Sequence, residues 1–158
     1  MLTKFDYFIA GFVGFFTGIF LIPTFVQLGV RAYAILMILP LMFPALIIFG
    51  VFISALLARW MPFFAQFGRF AAVGILNTAI DIGILNLLSV TFGIDSGFIV
   101  GGINAPGFIL AVINSYFLNK LWVFRRGNQE HLLYDFPKFF AVTLVGLGIN
   151  SGIVILGT

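Results

Sequence analysis

Five long apolar runs constrain this chain more than any other feature of its sequence. They cover Tyr7–Leu28, Ala32–Leu57, Phe70–Phe92, Gly97–Phe124 and Phe136–Leu156. Each is long enough to cross a bilayer as a helix, which needs about 20 apolar residues. Only 8% of the residues are charged, and a water-facing surface needs far more charge than that. The sequence therefore predicts an all-α integral membrane protein with about five transmembrane helices.

The basic residues between the runs predict the orientation of the chain. If every run spans the membrane, most of them lie on one side: Lys4, Arg59, Arg69, Lys120, Arg125, Arg126 and Lys138. Arg31 alone lies on the other side. Because cytoplasmic loops are enriched in lysine and arginine, we expect a multi-pass protein of the cytoplasmic (inner) membrane with a cytoplasmic N-terminus. This role for the basic residues accounts for the net charge of +3 without a nucleic-acid partner.

A weak internal repeat relates residues 69–84 to residues 138–153. The repeat unit contains two spans, and it aligns Asp81 with Asn150, both inside apolar runs. The second copy stops at Thr158 without a partner for the fourth span. Because many transporters are built from internal repeats with a site near the midplane between them, the repeat favours a transport protein. It also predicts that a sixth helix is missing.

Polar residues interrupt the third run. Asn77 and Asp81 are four residues apart, so a helix places them on one face, together with Gly74. An ionisable side chain inside the membrane is costly and is usually functional, and a glycine leaves room for a neighbouring helix or a ligand. We therefore expect Asp81 to contact a transported group or to titrate during transport. The alternative is that Asp81 is a protonated acid that bonds to an asparagine and holds the helices together.

The fourth run contains a second polar stripe. Its members are Asn104, Gly107, Ala111, Ser115 and Asn119, with Asn114 to one side. Two interpretations of these residues stay open, because buried amides either join neighbouring helices or line a path for a polar group. The same holds for Lys120, Arg125 and Arg126, which either fix only the topology or hold an anionic headgroup such as a phosphate.

The sequence contains no motif for catalysis. Cysteine is absent, which excludes thiolate nucleophiles, thiolate metal sites and disulfides. The single histidine, His131, cannot form a multi-histidine metal site, and Gly101–Gly102 lack the lysine and the spacing of a phosphate-binding loop. We therefore expect a protein that is not an enzyme and that holds neither a cofactor nor a metal.

Two motifs resemble the GtrA-like family of small bacterial membrane proteins. The first, "RFAAVGILNTAIDIGILNLL", contains the Val-Gly pair at 73–74, then Asn77, Thr78 and Asp81. The second, "NSYFLNKLWVF", contains Asn114, the aromatic pair at 116–117, Asn119–Lys120, Trp122 and Phe124. The resemblance covers about residues 66–158. Ser115 stands where the family often has an aromatic residue.

The resemblance implies a four-helix domain made of two helical hairpins. Residues 61–158 would be such a domain, incomplete because its last helix is missing, and residues 1–60 would be an additional transmembrane hairpin of unassigned role. The implied function is the flipping of polyprenyl-phosphate-linked monosaccharide across the cytoplasmic membrane, for glycosylation of cell-surface polysaccharide or teichoic acid. A glycosyltransferase would be a partner, and a homodimer is compatible with two small hairpins.

The candidate substrate-binding residues follow from the motifs and the polar stripes. They are Asn77, Asp81, Asn114, Asn119, Lys120, Arg125 and Arg126. An alternative function is a membrane anchor or regulatory partner of a polyprenyl-phosphate glycosyltransferase that transports nothing. A third is a small cation-coupled multidrug transporter in which Asp81 carries the proton.

Overall fold

The structure, a computed structural model, describes residues 2–93 and 98–124, with side chains in the second range from residue 104 onward. Its elements are α1 (Lys4–Gln27), α2 (Tyr33–Leu57), α3 (Phe63–Phe92), α4 (Phe98–Leu118) and a π-helical segment (Asn119–Val123). Within the described residues every element is helical, which confirms the all-α class. Among them, α1, α2 and α3 are each long and apolar enough to cross a membrane. The fifth apolar run lies outside the described residues, so the count of five spans stays a prediction.

Helix α3 begins earlier than the apolar pattern indicates. It starts at Phe63 rather than Phe70 and contains 30 residues, about 45 Å at the rise of an α-helix. Gln66 and Arg69 interrupt the apolar pattern before Phe70, so the sequence places the start of the run after them. The first turns of the helix nevertheless pack on α2, where the Ser54 hydroxyl donates to the Phe64 carbonyl at 2.6 Å. The middle of α3 therefore falls at Asn77, and Asp81 lies about one turn beyond it.

Helices α1 and α2 approach until their backbones touch. Gly14 and Gly18 of α1 face Pro44 and Pro40 of α2, and a Cβ atom on either glycine would lie 2.5 Å from the proline Cα. Helix α2 is continuous through both prolines, although proline in a helix interior removes a backbone hydrogen bond. The broken turn that the prolines would favour is therefore absent from α2, and the glycines of α1 accommodate its proline face.

Helix α1 also packs along α3. Gly83 of α3 lies against the carbonyl oxygen of Phe20, with no room for a Cβ atom. Near the same end of the bundle, Asn86 Nδ2 donates to Thr24 Oγ1 at 2.9 Å. The N-terminal hairpin is thus in direct contact with the first helix of the region that resembles the GtrA-like family. The boundary between the parts, 1–60 and 61–158, stays a prediction.

Candidate functional site

The basic end of the bundle holds the start of α1, the end of α2, the start of α3 and the π-helical segment. Its described cations are Lys4, Arg59, Arg69 and Lys120. From this end to about one turn beyond the middle of α3, a polar seam consists of Asn77 and Asp81 of α3, Asn114 and Ser115 of α4, and Asn119 of the π-helical segment. Apart from Ser115, these are predicted site residues, and Lys120 at the basic end is the fifth predicted site residue that the structure describes. Arg125 and Arg126 lie outside the described residues.

One hydrogen bond crosses the polar seam at the middle of α3. Asn114 Nδ2 donates to Asn77 Oδ1 at 2.8 Å. Both side chains are partly buried, and the bond joins α3 to α4. The two amides that the motifs singled out separately are therefore direct partners. Such interhelical bonds contribute about 0.6–2 kcal/mol each.

Asp81 lies where Gly107 of α4 packs directly on the backbone of α3. A Cβ atom on Gly107 would lie 2.9 Å from the Asp81 carbonyl oxygen and 3.3 Å from its Cα. The Asp81 side chain is half-buried, and its Oδ1 atom is buried without a hydrogen-bond partner among the described residues. Leaving a buried polar atom unpaired costs about 1–3 kcal/mol, so this oxygen is a natural acceptor for a donor on a ligand.

Gly107, not Gly74, provides the close approach near Asp81. Gly74 is exposed, and a Cβ atom there would meet nothing within 4 Å. The sequence interpretation that Gly74 admits a neighbouring helix is therefore wrong for the described helices. Helical spacing identified the correct face of α3 but not which glycine contacts a partner.

The π-helical segment places a second unpaired oxygen at the seam. The backbone N–H of Phe124 donates to the Asn119 carbonyl at 2.8 Å, which is the five-residue spacing of a π-helix. In its side chain, Asn119 Nδ2 donates to Ser115 Oγ at 3.1 Å, while Oδ1 is buried without a partner among the described residues. Isolated π-helical turns occur frequently at functional sites.

Lys120 extends from the same turn at the basic end. Its ammonium donates to the Tyr116 hydroxyl at 3.2 Å and lies 5.4 Å from the centre of the Tyr116 ring. The Tyr116 side chain is buried, whereas Lys120 is partly exposed. This contact holds a cation beside Asn119, at the end of the polar seam that lies at the basic end of the bundle.

A buried carboxylate links three elements at the basic end, and sequence reasoning missed it. Asp6 is 1% exposed. Its Oδ2 atom accepts bonds from the backbone N–H and the hydroxyl of Thr3 at 2.7 and 2.8 Å. Its Oδ1 atom accepts a bond from Trp122 Nε1 at 3.0 Å and lies 3.3 Å from Arg69 Nε.

One local signal predicts half of this arrangement. Thr3 and Asp6 have the spacing of a capping box, in which the two side chains pair reciprocally at the start of a helix. The partners Arg69 and Trp122 are 63 and 116 residues away along the chain, so only the tertiary structure identifies them.

The described residues also enclose an apolar groove between α2 and α3, with a volume of about 240 Å³. Val51, Gly68 and Ala71 are among its lining residues. Its one polar lining side chain is Ser54, whose hydroxyl is already bonded to Phe64. The groove therefore offers no free side-chain donor to a phosphate and at most one acceptor to a sugar, and the polar seam is the better candidate site.

A family model described as GtrA/DPMS, transmembrane domain, matches residues 69–158. The chain belongs to this family. The match confirms the resemblance inferred from the two motifs, and it includes α4, the π-helical segment and α3 from Arg69 onward. Comparisons with curated proteins and with solved structures gave no match. The chain is thus a multi-pass membrane protein of the GtrA/DPMS family, a family whose domain is generally non-catalytic.

Proposed function

We propose that this GtrA/DPMS-family protein flips polyprenyl-phosphate-linked monosaccharide across the cytoplasmic membrane. Membership of the family suggests an involvement in lipid-linked sugar translocation. The observation that supports flipping in particular is the polar seam, where two acceptor atoms, Asp81 Oδ1 and Asn119 Oδ1, are buried and unpaired among the described residues. The product would serve the glycosylation of cell-surface polysaccharide or teichoic acid.

The length of the seam suits a headgroup that crosses the membrane in steps. Gly107 of α4 lies beside Asp81, and Lys120 follows it by 13 residues, about 20 Å along the helix. This is about two thirds of the 30 Å hydrocarbon core. A sugar could therefore exchange water for seam acceptors while its polyprenyl chain stays in lipid.

The chemistry of the seam matches the two parts of such a headgroup. Sugar hydroxyls are donors, and Asp81 and Asn119 present acceptors to them. The phosphate is anionic, and Lys120 is a cation held at the basic end. Arg125 and Arg126 are proposed as further phosphate contacts from the sequence alone. In this proposal the basic end and the N-terminus are cytoplasmic, because lysine and arginine concentrate there.

A second function is favoured by the bonds already present in the seam. Asn77 is paired with Asn114, and Asn119 with Ser115, so part of the seam stabilises the bundle without any ligand. A bundle of this kind could anchor or regulate a polyprenyl-phosphate glycosyltransferase without transporting its product. A homodimer is compatible with either function.

Reconstitution separates the two functions. Purified protein is placed in liposomes with a short-chain polyprenyl-phosphate monosaccharide, and the fraction of sugar accessible from outside is followed with time. Flipping faster than in protein-free liposomes supports the proposal. A rate equal to that of protein-free liposomes, together with co-purification and stimulation of the glycosyltransferase, supports the second function instead.

Residue roles are tested in the same assay. Asp81→Asn replaces one carboxyl oxygen with an amide donor, and Lys120→Gln removes the cation. Each change is expected to weaken the contact with the headgroup by about 1.5–3 kcal/mol, which corresponds to an initial rate about 10–100-fold lower. Asn86→Ala is the matched control, because it removes an interhelical bond from α3 away from the seam. Equal rates per folded protein in all three variants would contradict the residue assignments.

A further inference from the structure

We propose that Asp6 is a positioning residue that holds the π-helical segment in place through Trp122, so that Asn119 and Lys120 meet the phosphate-linked sugar. The inference rests on the proposed function of the seam. It gives a role to the N-terminal hairpin, since Asp6 lies on α1 and the family match begins only at Arg69.

The two oxygens of Asp6 have separate partners. Oδ2 is held at the start of α1, where it accepts bonds from the backbone N–H and the hydroxyl of Thr3. Oδ1 contacts the rest of the protein, because it receives the Trp122 indole N–H and faces the Arg69 guanidinium. The carboxylate is therefore fixed to α1 on one side and connects α3 to the π-helical segment on the other.

Trp122 transmits this connection to the seam. It is 0% exposed and lies in the same π-helical turn as Asn119 and Lys120. The turn is short and departs from regular α-helical hydrogen bonding, so its orientation depends on the side chains that anchor it. Trp122 and Val123 supply that anchor in the core, while Lys120 extends to the partly exposed side.

Stability alone does not explain a carboxylate at this position. The ion pair between Asp6 and Arg69 has one partner that is fully buried and one that is 17% exposed. Buried ion pairs often stabilise a fold no better than apolar residues of similar volume, whereas the directional hydrogen bond from Trp122 to Asp6 fixes the π-helical segment against α1. The three-element contact is therefore better explained by placement of the π-helical turn.

The first measurement reports on the position of Trp122 and does not depend on transport. The chain has two tryptophans, and Trp60 is 83% exposed. Trp60→Phe therefore leaves Trp122 as the single tryptophan, whose emission can be measured alone. In that background, Asp6→Ala is expected to shift the emission to longer wavelength and to increase quenching by acrylamide. Unchanged emission and quenching would overturn the inference, because Trp122 would then keep its place without Asp6.

The second measurement is the affinity of the detergent-solubilised protein for short-chain polyprenyl phosphate, expressed per folded protein. Asp6→Ala is expected to weaken binding about tenfold. Asp6→Asn, which retains an acceptor for Trp122, is expected to recover part of that loss. In a Lys120→Gln background, Asp6→Ala is expected to cause no further loss, because its effect acts through Lys120 and its turn.

Asn86→Ala is the control for a purely structural role. Like Asp6→Ala, it removes a polar contact between α1 and α3, in this case the hydrogen bond from Asn86 to Thr24 at the opposite end of the bundle. Weaker binding in Asn86→Ala equal to that in Asp6→Ala, or additive losses with Lys120→Gln, would overturn the positioning role while the proposed function stands. Failure of the unsubstituted protein to bind polyprenyl phosphate would instead refute the proposed function, and the positioning role with it.

Discussion

Gly14→Ala is expected to push α1 away from α2. A Cβ atom on Gly14 would lie 2.5 Å from the Pro44 Cα, and 2.6 Å from both the Phe43 carbonyl oxygen and the Pro44 nitrogen. Ordinary contact begins at 3.4 Å, so the helices would have to separate locally by about 0.9 Å, which forfeits much of their van der Waals attraction. All three atoms belong to the backbone and cannot rotate aside as a side chain would.

The expected free-energy change combines two opposing effects. Overpacking costs about 1–3 kcal/mol, and the rigid backbone contact places Gly14→Ala at the upper end. Replacing glycine by alanine in a helix returns about 1 kcal/mol, which leaves a net destabilisation of about 2 kcal/mol. Gly11→Ala is the matched control, because a Cβ atom there meets only Ile48 Cδ1, at 3.8 Å. It is expected to be neutral or up to about 1 kcal/mol stabilising.

Equilibrium unfolding in mixed micelles measures both variants. The protein is titrated with SDS while helicity is followed by circular dichroism, and free energies of unfolding are compared with that of the unsubstituted chain. We expect Gly14→Ala to be less stable than Gly11→Ala by about 2–3 kcal/mol. Equal stabilities would refute the reasoning, because they would mean that α1 and α2 are not in backbone contact at Gly14.

Two further predictions concern contacts of α3. The Asn77→Ala and Asn114→Ala variants, measured singly and together, are expected to show a coupling energy of about 0.6–2 kcal/mol in the same unfolding assay; additive effects would contradict the bond between the two amides. Gly68→Ala places a Cβ atom on the Ser54 side chain, so we expect it to be destabilising and Ser54→Gly to restore part of the loss. Equal destabilisation of Gly68→Ala with and without Ser54→Gly would show that the clash is elsewhere.

The membrane class and the helical fold follow from hydropathy alone, because lipid requires every backbone polar group to be bonded within the protein. The start of α3 could not be predicted in this way. The polar residues Gln66 and Arg69 lie before the apolar run, which begins at Phe70, but the helix already begins at Phe63. Hydropathy reports where a chain can contact lipid. It does not report where a helix continues along another helix beyond the apolar run.

The α3–α4 half of the candidate site was predictable and the Asp6 half was not. Asn77, Asp81, Asn114 and Asn119 are polar residues in apolar runs, so their positions stand out in the sequence. Asp6 stands at the start of its helix, where a carboxylate is common and favourable. Nothing in its local sequence indicates that it also binds Trp122 in the π-helical segment that follows α4.

The pairing of the seam amides likewise required the structure. Helical spacing places Asn77 on a face of α3, but the rotation of α4 against that face decides whether Asn114 or Asn119 is its partner. Gly107 sets this rotation, because it allows α4 to contact the α3 backbone at Asp81. From residue 104 onward, Gly107 is the glycine of α4 that makes this close contact, and a pattern of small residues does not identify it.

In the proposed function, a phosphate-linked sugar crosses the membrane along the polar seam between α3 and α4. The most direct test of this claim is the initial rate of polyprenyl-phosphate monosaccharide flipping in liposomes that contain equal amounts of folded protein, either unsubstituted, Asp81→Asn or Asn86→Ala. We expect the Asp81→Asn rate to fall about tenfold or more and the Asn86→Ala rate to equal that of the unsubstituted protein. Equal rates for Asp81→Asn and the unsubstituted protein, or no flipping above protein-free liposomes, would contradict the claim.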